Sequence, residues 1–215
     1  MNPDIFKILL IIHITFGMIG LLAGTFIMIA KKGDQRHQKA GKVYFWSMMI
    51  SALVSIPMSY LHTNWFLFMV SVFTIYMLTT GVRSLKIKTE KDVKPIDWLI
   101  TMTMLIVAII FIFLGVKNIL VQNNFGIVLV FFGVISSLFV LKDWKNFTGK
   151  STIKNFYLTT HISRMAGAYI ASFTAFIVVN NHDIIPGIIA WLLPTFIITP
   201  LIIKWTRKYQ KVKSI

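Results

Sequence analysis

The sequence predicts an all-α protein, a polytopic membrane helical bundle of seven transmembrane helices with the N-terminus outside and the C-terminus cytoplasmic. Three observations carry that prediction. Of 215 residues, 56% are hydrophobic and 13% are charged, about half the ~25% charged share of an average soluble domain, and the mean hydropathy is +0.75. The apolar residues fall in seven runs of about 18 to 25 residues, the length that crosses a bilayer as a helix. The basic residues gather in alternate connections, which is the pattern that orients a membrane chain.

The spans lie near 5–30, 43–62, 65–84, 96–116, 125–141, 156–179 and 187–204, and together form a single transmembrane domain over 1–215. The first is too long for the apolar core of a signal peptide, about 7 to 15 residues, and no clean small-residue cleavage site follows it, so it reads as retained. It carries His13, Gly17, Gly20 and Gly24, all toward one face. The second carries Tyr44, Ser47, Ser51, Ser55, Ser59 and His62, which at 3.6 residues per turn form one polar line across the membrane. That line reads as a helix interface joined by hydroxyls or as the wall of a ligand site or water path. The third runs from Trp65 to Ser84. The fourth and fifth hold few mid-span polar residues, Thr101 and Thr103 in one and Ser136 and Ser137 in the other, and read as peripheral. The sixth combines His161 and Arg164 with a strip of small residues, Ser163, Gly167, Ala171 and Ala175, spaced for close approach of a neighbour, with the first span as the expected partner. The seventh contains Pro194 and Pro200, where a kink is expected. Tryptophans stand mostly near span ends, as interfacial anchors do.

Charge sets the orientation. The chain has 22 Lys and Arg against 7 Asp and Glu, and 19 of the 22 fall in the first, third and fifth connections and the C-terminal tail. The second and sixth connections have none. By the positive-inside rule the basic side is cytoplasmic, facing anionic lipid headgroups, and this explains the high charge without nucleic acid as a partner. The bilayer is the expected surrounding; a membrane-protein partner or a homo-oligomer is compatible with the small-residue faces.

Several chemistries drop out. There is no cysteine, so disulfides, thiolate metal sites, iron–sulfur clusters and a cysteine nucleophile are excluded. The acidic residues read as terminal or loop positions: Asp97 and Arg83 sit at span ends, where they reach water, and Asp143 falls in the fifth connection. Without a mid-membrane carboxylate, ion-coupled transport loses its usual coupling group, and paired-acid and Ser-His-Asp hydrolysis lose a member. The last span lacks a mid-helix lysine for a retinal Schiff base.

Histidine and arginine remain. Intramembrane ionisable groups are functional candidates by default. His13 and His62 belong to an outer layer, and His37 and His161 to an inner one, with Arg164 deep in the sixth span. Inward histidines beside small residues suit haem b, with Arg164 against an anionic group such as a propionate, or a divalent metal on the same four histidines. The bland reading of each is a hydrogen-bonding partner for a neighbouring hydroxyl or carbonyl. His182, in the turn Asn180-Asn181-His182-Asp183, reads as solvated.

The pattern His13-x3-Gly17, Leu21-Leu22-x-Gly24, Lys31-Lys32-Gly33-x3-His37-x3-Gly41-x2-Tyr44 resembles a bacterial group of predicted membrane proteins, domain-of-unknown-function family 2306. His161-x-x-Arg164-Met165, followed by Ala168-Tyr169-Ile170-Ala171 and Thr174-Ala175-Phe176, is similar to a second signature of that group. The resemblance covers spans one, two and six. It implies a multi-pass protein of the bacterial cytoplasmic membrane and no established activity; where many relatives have His-Arg, this chain has His37-Gln38.

The functional expectation is a haem- or metal-binding redox or sensory membrane protein. The alternatives are a carrier or channel for a small anionic or amphipathic molecule, with Arg164 as counter-ion, and a membrane scaffold or accessory subunit.

Overall fold

The structure is a computed structural model that describes residues 3–182 and 184–210. Asp183 of the outer turn, and Lys211 and Lys213 of the basic tail, lie outside the described residues. Among those described there are seven α-helices and no strand: α1 Pro3–Ile29, α2 Gln35–Leu61, α3 Trp65–Ser84, α4 Pro95–Leu120, α5 Phe125–Phe147, α6 Phe156–Val179 and α7 Gly187–Arg207, with one 3-10 turn at Glu90–Asp92. All seven are long and apolar enough to cross a membrane.

Helices α2, α4, α5 and α7 outrun their apolar runs, whereas α3 and α6 match theirs. Helix α2 begins eight residues before its hydrophobic stretch, because Asp34 caps it by accepting from the backbone N–H of His37 at 2.8 Å. An N-cap side chain satisfies an otherwise orphan donor and stabilises by about 1 kcal/mol. Lys32 closes α1 in the complementary way, its Nζ donating to the carbonyls of Ile27, Met28 and Ala30 at 2.7, 2.8 and 3.1 Å, where a cation meets the negative end of the helix. Between them Gly33 takes φ +86°, a conformation glycine reaches without steric penalty. Helix α4 opens on Pro95 with Asp97 accepting from the Lys94 N–H at 2.9 Å. Helix α7 continues through both Pro194 and Pro200.

The chain forms two compact units. The first comprises α1, α2, α3 through Leu78, α6 from Met165 and α7 through Ile202. Its centre is the buried run Met69, Phe73, Tyr76, Met77 and Leu78 of α3, with Ala168, Tyr169 and Ala171 of α6. Helix α1 presents isoleucines and leucines outward and buries fully only Gly20 and Gly24. A Cβ on Gly20 would stand 2.9 Å from Met48 of α2, and one on Gly24 would stand 2.5 Å from the ring of Tyr169 and 3.1 Å from that of Tyr44. The glycines of α1 therefore seat it chiefly on α2, with only Gly24 reaching α6. Gly167 of the α6 strip makes room for Met77 of α3 instead. Five of the six polar-line residues of α2, Tyr44, Ser47, Ser51, Ser55 and Ser59, are buried, and His62 at its end is exposed.

The second unit comprises α3 from Thr79, α4, α5, α6 through Arg164 and α7 from Ile203. Helices α4 and α5, expected to be peripheral, have a tight shared seam here. Gly115 lies where a Cβ would sit 2.8 Å from the Gly126 carbonyl, and Gly133 where one would sit 2.9 Å from the Ala108 carbonyl. Small residues let backbones approach in this way. Helix α5 runs six residues beyond the expected span end and keeps one buried face throughout: Gly126, Leu129, Phe132, Gly133, Ser136, Val140, Asp143, Asn146.

Candidate functional site

In the first unit a cavity of about 450 Å³ is bounded by α1, α2, α3 and α6, within the ~300–1,000 Å³ range of small-molecule sites. Among the described residues its one histidine is His13, and no Lys, Arg, Asp or Glu lines it.

Two serines of the α2 line hold His13. Nδ1 lies 2.9 Å from Ser51 Oγ, 2.8 Å from Ser55 Oγ and 3.2 Å from the Ser51 carbonyl oxygen. Each hydroxyl also has a carbonyl to donate to, Ser51 Oγ the His13 carbonyl at 3.1 Å and Ser55 Oγ the Ser51 carbonyl at 2.7 Å, and so can accept from the ring. The Ser51 carbonyl only accepts, and with it facing Nδ1 we assign the ring hydrogen to that nitrogen. In the neutral ring that leaves Nε2 as an acceptor, and it has no hydrogen-bond partner among the described residues. Thr74 of α3 also lines the cavity, is 3% exposed, and its hydroxyl is likewise without a partner there. Phe6, Phe66 and Phe176 supply aromatic wall. Nothing in the sequence singled out Thr74, since threonine is ordinary in an apolar helix.

The remaining sequence candidates are dispersed. His62 is the exposed C-cap of α2, its ring 3.9 Å from that of Phe6. His37 is in the first turn of α2, half-buried. His161 belongs to the second unit, where its Nδ1 is 2.8 Å from the Gly81 carbonyl oxygen; a carbonyl only accepts, so this nitrogen too carries the hydrogen. His182 is exposed. Among the described residues no three His, Cys, Asp or Glu side chains form a group that suits a metal.

Arg164 is fully buried in the second unit and its charge is met inside the chain. Nη2 donates to Asp143 Oδ1 at 2.8 Å and to the Phe139 carbonyl at 3.0 Å, and the guanidinium carbon lies 4.2 Å from the Phe139 ring centroid. Asp143 is an interior residue of α5 and 2% exposed, which corrects its reading as a loop residue and the view of Arg164 as an unpaired cation. Arg83 and Asp97 form a second, two-pronged pair through Nε and Oδ1 and, at 2.8 Å, Nη2 and Oδ2. Asp97 is buried at 4% exposure, so the pair is more than two side chains reaching for water. A chamber of about 20 Å³ between these groups is lined by Thr80, Ser84, Asn146 and Thr160 as well, room for about one water. The signal that finds Asp143 from sequence is the three- and four-residue spacing Ser136, Val140, Asp143, which continues the buried face of α5 past the end of its hydropathy.

No protein-family model, curated protein or solved structure matches the chain.

Proposed function

We propose that this multi-pass membrane protein binds a small, uncharged, amphipathic molecule drawn from the bilayer, with His13 as its polar anchor. The observation that carries the reading is the Nε2 of His13, without a partner among the described residues while Nδ1 faces the Ser51 carbonyl, in a largely apolar cavity with no charged side chain among its described lining residues. An anionic ligand would find no cation in that lining, and a buried unpaired charge costs several kcal/mol. Arg164, the counter-ion of an anion carrier, is held by Asp143 instead. With the basic connections cytoplasmic, the cavity opens in the outer half of a bacterial cytoplasmic membrane.

Naphthol is a suitable probe, an apolar body with one hydroxyl donor, and naphthoate is its charged counterpart. Protein in mild detergent is expected to bind naphthol saturably at one per chain, to bind naphthoate at least ~10-fold more weakly, and to lose naphthol when Ala175→Trp fills the cavity. Unsaturable binding, equal affinity for the anion, or unchanged binding in Ala175→Trp would remove the reading.

A second reading keeps His13 as a ligand to haem b or a divalent metal in a redox or sensory protein. It is supported by the Nδ1–H contacts to oxygen, since metal-ligating histidines are oriented by such contacts. Oxidised and dithionite-reduced absorption spectra beside His13→Ala decide it. A Soret band lost in the variant favours haem, and a featureless spectrum with blank metal analysis dismisses both groups. A scaffold role has less support, because the hydroxyls of Ser51 and Ser55 are committed within the chain.

A further inference from the structure

We propose that the His13 cavity is a site for a membrane-soluble quinol and that it selects the reduced form over the quinone; this rests on reading the cavity as an uncharged small-molecule site. The lining sets the ligand's chemistry. Nε2 of His13 asks for a hydrogen-bond donor, and the Thr74 hydroxyl, closed to the cavity in this conformation and without a protein partner among the described residues, gains one by turning toward a second polar group on the same molecule. Phe6, Phe66 and Phe176 add ring surface to the lining, where aromatic pairs gain by offset or edge contact. No charged side chain among the described residues lines the space. A flat ring with hydroxyls on opposite sides and no charge meets all of these conditions.

Selection follows from the tautomer. A quinol hydroxyl donates to Nε2, whereas a quinone carbonyl brings a lone pair against a lone pair. Moving the hydrogen to Nε2 carries a cost, because a bare Nδ1 would face the lone pairs of the Ser51 carbonyl at 3.2 Å and a serine hydroxyl would have to turn from its own carbonyl to meet it. An unpaired buried acceptor weakens binding by roughly 10- to 100-fold.

The test uses the full chain in lipid nanodiscs with decylubiquinol, decylubiquinone and the dimethyl ether of the quinol, under argon. Trp191 is the reporter, since its ring stands 4.9 Å from that of Phe66. The quinol is expected to bind at least ~10-fold more tightly than the quinone, and the dimethyl ether to behave like the quinone. Thr74→Val should weaken the quinol several-fold, and His13→Leu should erase the preference. Equal affinity for quinol and quinone, tight binding of the ether, or a preference that survives in folded His13→Leu overturns the proposal. If His13→Leu does not fold, the native protein's preference and the ether decide alone. Saturable naphthol binding without a quinol preference overturns this inference and leaves the broader site reading standing; absence of naphthol binding removes both.

Discussion

Nη2 of Arg164 donates to Oδ1 of Asp143 across 2.8 Å, with the two side chains 0% and 3% exposed, so the cation deepest in α6 is neutralised by α5. Removing one member leaves the other buried and uncompensated, which costs about 3–5 kcal/mol. Arg164→Leu and Asp143→Leu should each lower thermal stability in detergent sharply, while the double change to leucine should recover most of the loss. A full-strength loss in the double variant would show that packing dominates over charge at this position.

Held by Ser51 and Ser55, the His13 ring is expected to show its hydrogen on Nδ1 and a bare Nε2 in nitrogen NMR of selectively labelled histidine. Ser51→Ala and Ser55→Ala each remove an acceptor, and a destabilisation of about 1 kcal/mol apiece is expected. The opposite tautomer would contradict the hydrogen-bond assignment.

Two glycines should respond in opposite directions. Gly24→Val pushes into the rings of Tyr169 and Tyr44 and should destabilise by about 1–3 kcal/mol, disturbing the 2.7 Å hydrogen bond between Thr25 and Tyr169. Gly41 lies inside α2 with nothing within 4 Å of the position a Cβ would take. Gly41→Ala should stabilise by about 0.5–1 kcal/mol. Thermal unfolding of both variants gives the two signs.

Asp92 closes the turn after α3. Its carboxylate accepts from the backbone N–H and the hydroxyl of Thr89 and from the Lys88 N–H, and these bonds, led by the Thr89 amide, hold its pKa below the ordinary value of 3.8. A depressed carboxylate lends stability that is fully present above the ordinary value and is lost as pH falls through the folded one. Amide exchange at Lys88 and Thr89 should therefore quicken, relative to a peptide reference, as pH drops below about 4. Asp92→Asn should remove that pH dependence.

Seven helices were legible because hydropathy averages over every face of a helix, and lipid rewards that average. His13 and the serine line were legible for the opposite reason: polar residues at helical spacing stand out in an apolar stretch. Asp143 and Asp97 were hidden by their neighbours. Asp143 stands between Lys142 and Trp144 and near Lys145, so its surroundings read as a connection, and its partner is 21 residues away. Pairing between helices is set by how they pack, which one helix's periodicity does not contain. Thr74 was silent on the same grounds, because its importance comes from the cavity beside it. The α4–α5 seam rests on Gly115, Gly126 and Gly133, whose spacing makes sense only when the two helices are laid together.

The two internal ion pairs also govern how this region meets a transmembrane voltage. A field acts on an isolated charge with about 2.3 kcal/mol per 100 mV for a full crossing, so a bare Arg164 or Asp97 would be pulled as the potential changed. Joined as Arg164 with Asp143 and Arg83 with Asp97, they offer the field short dipoles whose net charge is zero. A rearrangement that carries each pair as a unit transfers no gating charge on its account, and one that parts a pair does.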